Sequence, residues 1–496
     1  MPFNNTIEWE ILQNDKKFTI NHYKIEFPYT LSEIKEIEIK RNDYYRIEVK
    51  IRGRITKNFN KEFDDFRDKL LNHIVICDNY ETWILKNSHI SNCETNYNHL
   101  SQEYCIFLEC SEILFESKNK DNVDWIQEWY LNGPRNHFPH STSYSVKKIF
   151  KRERNYCANE NILEIKDNET CSTIKDFFSF KLEDGTEILI NHVPSPFGPN
   201  WSKNIGIKYK SEEYISNKKG RRNIEKIISF LFGRKLLKIG ESFYDSKGNK
   251  VKETMLNPNI HSNINLKSVC GKFDKTPIDI KLFNSVPIES SFSKVISNFI
   301  EIGDDLDLIT PLDYYLASIF LPPESKIIML ASSLECLMNN WIDSFKHKNK
   351  SFIMDKEEFN SLIKDIKPKI LENFKDEKPI IDNFSRLNVK SINLKLKTFF
   401  EDLGIELGDI EIKSLSYRNK PVHGYDLSSE DYLKLCVYSD MYQVLVNRVI
   451  LTLLDFDGEY IFHNLAEPIN ISDKISYSID QLIDNVYQFK SFNVDE

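Results

Sequence analysis

The chain has 496 residues, 41% of them hydrophobic and 28% charged, with a net charge of −9 at pH 7. This length predicts roughly two or three domains with sizeable cores, and the acidic balance argues against a nonspecific nucleic-acid coat without excluding an RNA enzyme that has a local basic patch. There is no run of about eighteen apolar residues and no secretory signal pattern, so we expect no membrane partner. Nine scattered cysteines are typical of reduced thiols, which indicates a cytoplasmic protein.

Alternating residue types predict that the first part of the chain is rich in β-strands. Residues 45–52 place apolar side chains on one face and charged ones on the other, which is typical of a half-buried strand. The apolar face consists of Tyr45, Ile47, Val49 and Ile51. Shorter alternations at residues 104–108, 188–190 and 205–209 predict further strands.

A turn and a helix interrupt this pattern of strands. The segment Asp245–Asn249 contains Gly248 and predicts a hairpin turn between two strands. A helix is predicted from about Asn223 to Phe232, with Gly233 placed to end it. The apolar face of this helix consists of Ile224, Ile227, Ile228 and Leu231.

The apolar spacing becomes helical from about residue 286. The clearest helix covers residues 324–345, after two prolines, and similar patterns predict helices near 355–374 and 391–402. The apolar stripe of the first consists of Ile327, Leu330, Leu334, Leu337, Trp341 and Phe345. The prediction is therefore an α+β chain with a β-rich N-terminal domain over residues 1–285, an all-α helical bundle over 286–465 and a C-terminal tail over 466–496.

Two more helices are predicted around a proline. One begins at Asp409 as N-cap and buries Ile412 and Leu415. Pro421 disfavours helical geometry at the residue before it, so this helix should close around Asn419. Ser428 then caps a long last helix whose inward residues are Leu435, Tyr438, Tyr442, Leu445, Val449 and Leu453.

The segment Arg418–His423 joins a permanent cation to a titratable imidazole at the end of a helix. Arg can fork onto phosphate oxygens, and His is the side chain best suited to move protons near neutral pH. The pair therefore predicts metal-free cleavage of RNA, with Asn419 donating to a phosphate oxygen or holding the imidazole. The alternative is structural: Arg418 caps the helix and His423 is a satisfied turn residue.

One His cannot easily both remove the proton of the attacking 2′-OH and protonate the leaving 5′-oxygen. A two-fold dimer that brings two copies of the motif together would supply the second group. Glu335 lies beside the apolar stripe of its helix and could orient Arg418. An exposed flanking position is the other interpretation of Glu335.

The chain resembles the ApeA-like branch of the HEPN superfamily, a family of bacterial antiphage defence proteins. The resemblance is carried by Ser416–Gly424 (SYRNKPVHG), by Leu334-Glu335 and, in the N-terminal part, by three further segments. These are Trp129–Pro134 (WYLNGP), Phe197–Trp201 (FGPNW) and Ser229–Arg234 (SFLFGR). The HEPN motif is short, but the combination covers most of the chain.

The resemblance implies a metal-independent endoribonuclease, active as a homodimer through its helical domain and used in abortive infection. Arg418, Asn419 and His423 match the catalytic motif, and no cofactor is implied. The products would be a cyclic phosphate and a 5′-hydroxyl, and transfer RNA becomes a candidate target. A phage-derived trigger would act through the β-rich N-terminal domain as sensor or regulator.

Two other functions stay open at this stage. The helical domain could be a non-catalytic module that binds RNA or a nucleotide as a sensor. It could also be a toxin controlled by a modifying antitoxin, because Tyr425 completes an Arg-x4-His-x-Tyr pattern that occurs in HEPN toxins; packing or RNA contact is the simpler role for Tyr425.

A basic stretch between residues 218 and 238 is a candidate RNA-binding surface. Its proposed contacts are Lys218, Lys219, Arg221, Arg222, Arg234 and Lys235, and a solvated charged face is the alternative. No metal site is predicted, since no Cys or His pair has a second half at zinc-type spacing.

Overall fold

A computed structural model describes most of the chain, which forms two compact units. The first comprises Met1–Glu225, Arg234–Asp274 and Ile280–Ser293, and the second comprises Lys226–Gly233, Lys275–Asp279 and Lys294–Glu496. The described residues are 5–7, 16–27, 33–42, 45–55, 63, 69, 71–98, 101–118, 122–134, 141–145, 152–158, 161–167, 174–193, 204–210, 212–258, 276–278, 288–344, 350–373, 386–418, 429–462 and 467–484.

Seventeen strands of the first unit are joined by hydrogen bonds into one sheet network. The early strands are β1 (Asn5–Ile7), β2 (Lys16–Thr19), β3 (Lys24–Glu26), β4 (Ile34–Arg41), β5 (Ile47–Arg54), β6 (Leu71–Cys77), β7 (Glu81–Asn98), β8 (Ser101–Ser117) and β9 (Trp125–Leu131). The later ones are β10 (Ser141–Ser145), β11 (Arg152–Ala158), β12 (Asn161–Asp167), β13 (Ile174–Lys181), β14 (Glu187–His192), β15 (Ile205–Tyr209), β16 (Leu237–Tyr244) and β17 (Lys250–Leu256).

Antiparallel pairing dominates this network, and β1 with β12 is a parallel pair. The long strands β7 and β8 form a hairpin, and β8 also pairs with β5 and β17. Strand β9 lies between β15 and β16, and all seven of its residues are buried. The strands-then-helices order of the α+β prediction is confirmed.

The alternation in β5 produces the predicted buried face. Ile47, Val49 and Ile51 are all at most 1% exposed and belong to a core shared with strands β4, β6, β7 and β8. Tyr45 does not belong to the strand, because its φ of 59° is a left-handed conformation that breaks the extended backbone. The strand therefore starts two residues later than its sequence pattern suggests.

The predicted turn joins β16 to β17. The carboxylate of Asp245 accepts hydrogen bonds from the backbone N–H groups of Lys247 and Asn249, at 2.9 and 2.7 Å. Gly248 has a φ of 85°, which a residue without a Cβ adopts at little cost. Asp and Gly at these two positions therefore fix the hairpin.

Two helices of this region follow one another closely: α1 (Glu212–Ser216) and α2 (Lys218–Leu231). Helix α2 begins five residues earlier than predicted, because the side chain of Asn217 caps it by accepting from the N–H of Gly220 at 2.8 Å. The first turns of the helix are charged, so apolar spacing gives no signal for its start. Gly233, at a φ of 60°, is placed as predicted just beyond the end of the helix.

The second unit is mainly helical. Its helices include α3 (Ile288–Ile302), which begins in the first unit, α4 (Ile309–Ser318), α5 (Pro323–Asp343), α6 (Lys356–Leu362), α7 (Lys367–Asn373), α8 (Ile392–Asp402), α9 (Asp409–Tyr417) and α10 (Ser429–Leu453). Residues 479–484 are also helical. Two strands, β18 (Glu459–Phe462) and β19 (Glu467–Asn470), pair antiparallel after α10, so the predicted tail contributes a strand. The pattern over 355–374 is divided between α6 and α7. Within the described ranges, no helix is long and apolar enough to cross a membrane.

Helices α5 and α10 carry the predicted apolar stripes. In α5 the stripe from Ile327 to Trp341 is buried, and Pro323 occupies the first turn, where its missing N–H costs nothing. The ammonium group of Lys326 on α5 pairs with the carboxylate of Asp440 on α10 at 2.7 Å. Phe345 and Ser428, which the prediction assigned to these helices, lie outside the described residues.

Helix α9 differs from its prediction in which side chains it buries. The N-cap is Gly408 and not the predicted Asp409, which is the first residue of the helix. Glycine fits position 408 because a Cβ there would collide with the carbonyl oxygen of Ile475. Ile410 is buried, but Ile412 is 54% exposed, so its predicted burial is wrong. Leu415 is half-buried. The helix is oriented by polar contacts on its other side rather than by a continuous apolar stripe.

Candidate active site

Arg418 is the C-cap residue of α9. Its backbone is helical, with φ −52° and ψ −28°, and its N–H donates to the carbonyl oxygen of Ser416. The side chain is only 16% exposed, although it carries a permanent charge. A charge in this position needs a partner, because desolvation without one is costly.

Glu335 supplies that partner from α5. Its carboxylate Oε1 pairs with Nη1 of Arg418, joining the middle of one helix to the end of another. Glu335 is itself 31% exposed, so the pair lies at the edge of the packed interior. The sequence offered two interpretations of Glu335, and its position in the structure corresponds to contact with Arg418.

Tyr442 on α10 also interacts with Arg418. Burial raises the pKa of Tyr442 to about 12, although the nearby Arg418 charge opposes the rise. The phenol therefore stays protonated and neutral at physiological pH, which makes Tyr442 unsuited to act as a general base there. The neutral ring of Tyr442 can instead pack beside the guanidinium.

A pair of tyrosines holds the last turn of α9 against α10. The rings of Tyr417 and Tyr438 have centroids 4.4 Å apart and an interplanar angle of 35°. The hydroxyl of Tyr417 also donates to the carbonyl oxygen of Asp431 at 3.3 Å. Because Tyr417 directly precedes Arg418, these contacts restrict where the guanidinium can lie.

A buried ion pair fixes the first turn of α9. Glu411 and Arg448 are both 0% exposed, and Nη1 of Arg448 lies 3.4 Å from Oε1 of Glu411. Glu411 also accepts from the N–H of Gly408 at 2.7 Å, and Arg448 donates to the carbonyl oxygens of Ile471 and Glu406. The helix that carries Arg418 is thus attached to α10 at both ends.

Only part of the predicted catalytic set is described. The structure brings Arg418 and Glu335 together, whereas Asn419, His423 and Tyr425 lie outside the described residues. Phe197–Trp201, one of the segments that carry the family resemblance, is also outside them. The other two N-terminal segments meet, because Nη1 of Arg234 donates to Oδ1 of Asn132 at 2.9 Å.

A cavity of about 570 Å³ adjoins Arg418 in the second unit. Helix α8 contributes Leu396 and Phe400 to its wall, the following loop contributes Ile405 and Leu407, and α9 contributes Ile412 and Leu415. Arg418 forms part of the same wall. An apolar cavity with a cation at its edge could hold an apolar group attached to an anion.

The basic stretch is partly buried. Arg221 is 1% exposed and pairs with Glu128 at 2.9 Å and with Glu241 at 3.2 Å. Arg234 is 3% exposed. RNA contact is therefore not supported for these two arginines, whose charges are used inside the first unit.

The remaining members of the predicted RNA-binding set are more accessible. Lys218, Lys219 and Arg222 are exposed, and Lys235 is half-buried. These four stay candidates for phosphate contact.

Glu128 is the centre of this interior network. Burial by itself would raise the pKa of Glu128, but the charges of Lys238 and Arg221 outweigh it and hold the pKa below the ordinary value. Lys238 lies 2.6 Å from Glu128 and 2.7 Å from Glu241, and the hydroxyl of Tyr130 donates to Glu128 at 2.7 Å. The two carboxylates and two cations balance, which lets all four groups remain charged in the interior.

Sequence reasoning missed the support of the site. Nothing in the spacing links Glu411 to Arg448, or Tyr442 to Arg418, because these contacts join residues far apart in the chain. A charged residue inside an apolar stripe, as at Arg448, is the one signal that could have pointed to a buried pair. Among the described side chains, no group of three or more His, Cys, Asp or Glu could hold a metal ion.

Comparison with known proteins gives no family assignment. No family model matches the chain, and no curated protein matches it. Among solved structures, the crystal structure of Hcp2 from Salmonella typhimurium aligns with 19% of this chain and 85% of its own, at 11% identity and a TM-score of 0.16. A likeness this weak supports no conclusion about fold or function.

Proposed function

We propose that the chain is a metal-independent endoribonuclease of the HEPN type that acts in antiphage defence. The observation that carries the proposal is the Arg418–Glu335 ion pair, which holds a cation at the end of α9, five residues before His423. The carboxylate of Glu335 compensates the charge of the partly buried guanidinium, and it also fixes the direction of that group. A fixed direction supports phosphate binding, because the orientation of a guanidinium decides which oxygens it contacts.

The proposed reaction is transesterification within the RNA. The ribose 2′-oxygen attacks the adjacent phosphorus, the new P–O bond forms, and the bond to the 5′-oxygen of the next nucleotide breaks. One proton leaves the 2′-hydroxyl and one is delivered to the 5′-oxygen, so the products carry a 2′,3′-cyclic phosphate and a 5′-hydroxyl. Arg418 stabilises the charge that builds up on the phosphorane-like transition state.

His423 performs one of the two proton transfers, and Asn419 assists by contacting a phosphate oxygen or the imidazole. Since a single imidazole is poorly placed for both transfers, the second group comes from another copy of the motif in a homodimer formed by the helical domains. The first unit regulates the nuclease in response to a phage-derived trigger, and a structured cytoplasmic RNA, with transfer RNA as the leading candidate, is the target.

The end chemistry of the cleaved RNA tests this proposal directly. Purified protein is incubated with total transfer RNA, with and without a chelator, and the new ends are mapped. We expect the same cleavage in both samples, with 5′ ends that a kinase labels without prior phosphatase treatment. Activity that disappears in the chelator and returns with added metal would overturn the mechanism, and the absence of any RNA cleavage would favour a binding module.

Glu335→Gln is expected to lower kcat of cleavage about 10- to 100-fold, because a guanidinium that is displaced by an ångström loses much of its effect. Melting temperature should change little, because the amide oxygen of Gln can still accept a hydrogen bond from the Arg418 guanidinium and position 335 is 31% exposed. The control is Glu324→Gln in the first turn of the same helix, which should cleave normally. Partial recovery in Glu335→Asp would identify Glu335 as a positioning residue, and full activity in Glu335→Gln would exclude that role.

A further inference from the structure

The cavity between α8 and α9 is lined mainly by apolar side chains, and some of them are exposed. Among its lining residues, Leu396 and Phe400 of α8 are buried, whereas Ile412 of α9 is 54% exposed and Leu415 of α9 is half-buried. Its volume of about 570 Å³ lies in the range of small-molecule sites, roughly 300–1,000 Å³. An apolar concavity of this size among the described residues indicates a binding site.

The chemistry of the wall limits what that ligand can be. The faces are mainly aliphatic and aromatic, and Asn393 and Ser416 add groups that can donate or accept hydrogen bonds. The lining also contains the charged residues Lys397, Glu401 and Glu406. Arg418 belongs to the same wall, so a ligand that fills the cavity can place an attached anion near its guanidinium, which also pairs with Glu335. A flat, largely apolar group with polar edges, joined to a phosphate, satisfies all three conditions.

We propose that this cavity receives the unpaired base of a nucleotide next to the phosphate that is cleaved. The proposal rests on the proposed ribonuclease function and adds its substrate class. In a duplex, neighbouring base pairs cover the faces of a base, and extracting it costs a few kcal/mol. An unpaired nucleotide avoids most of that cost, so the site selects loops and single strands over helices.

The variant Ile412→Trp tests the proposal by filling the cavity from an exposed position. The control is Ile366→Trp, because Ile366 has a similar exposure, 52% against 54%, and does not line the cavity. The substrate is an RNA hairpin that contains the cleavage site in its unpaired loop. We expect kcat/KM to fall about 10-fold or more in Ile412→Trp, the loss that corresponds to one base contact, and to stay unchanged in the control.

A second measurement separates this inference from the ribonuclease function. The same hairpin carries 2-aminopurine beside the cleavage site, and it is titrated into the His423→Ala protein. The 2-aminopurine fluorescence should rise when the base unstacks from the neighbouring bases of the hairpin. This rise should be absent in the double variant His423→Ala/Ile412→Trp. Fluorescence that does not change on binding would overturn the base pocket.

The two proposals can fail separately. Equal cleavage by Ile412→Trp and Ile366→Trp, with His423→Ala inactive, would overturn the base pocket and leave the nuclease intact. Normal cleavage by His423→Ala would overturn the nuclease mechanism. In that case the fluorescence titration with the wild-type protein decides by itself whether the cavity binds a base.

Discussion

Replacing His423 with alanine is expected to abolish RNA cleavage while the protein stays folded. A positioned acid or base contributes roughly 10²–10⁴-fold to a proton-transfer step. Tyr442 beside Arg418 is no substitute as a base, because burial raises the pKa of its phenol to about 12. The measurement is the single-turnover rate on a defined RNA, together with a melting curve. In cells, growth arrest on phage infection should disappear with the activity.

The matched control is His22→Ala, which removes an exposed imidazole from the first unit and should leave cleavage unchanged. Sequencing RNA ends from infected cells that express each variant extends the test to the natural target. Ends that accumulate equally in the wild type and in His423→Ala would show that another group performs the chemistry. Modification of Tyr425, detected by mass spectrometry in the inactive state, would instead support control by an antitoxin.

Arg448→Met is expected to lower the free energy of unfolding of the second unit by about 3–5 kcal/mol. The change leaves the carboxyl of Glu411 0% exposed without its cation, so this group must either stay charged without a partner or take up a proton. Burial already raises the pKa of Glu411, and breaking one side of a buried ion pair has a cost of this size. It also removes the donors to the carbonyl oxygens of Ile471 and Glu406. Urea denaturation followed by circular dichroism gives the value.

An exposed ion pair on a neighbouring helix provides the comparison. Lys397 and Glu401 lie 3.8 Å apart with side chains 71% and 63% exposed, so Lys397→Met should change stability by no more than about 0.5 kcal/mol. The double variant Glu411→Gln/Arg448→Met should recover part of the loss, because no unpaired charge remains. A loss in Arg448→Met no larger than that in Lys397→Met would contradict the assigned role of the pair.

Helix α9 was predicted correctly in its position along the chain but not in the face that it buries. The pattern of residues 409–419 predicted a helix, and α9 ends at Tyr417 with Arg418 as its cap. The same pattern predicted that Ile412 is buried, but this side chain is 54% exposed. The reason is that the buried Glu411–Arg448 pair determines the rotation of the helix about its axis. Apolar spacing records which side chains could be buried, and a polar contact to a distant helix can select a different face.

The sequence alone determined the order of strands and helices, the hairpin at Asp245–Asn249, and Arg418 as a cation at a helix end. These features depend on neighbours within a few positions, where backbone preferences and side-chain periodicity act directly. Only the tertiary structure decided that Glu335 pairs with Arg418, that Arg221 and Arg234 are buried, and that a cavity opens beside α9. Those outcomes depend on residues that lie far apart in the chain, and the free energy of burying a charge is set by the partners that the folded chain brings to it.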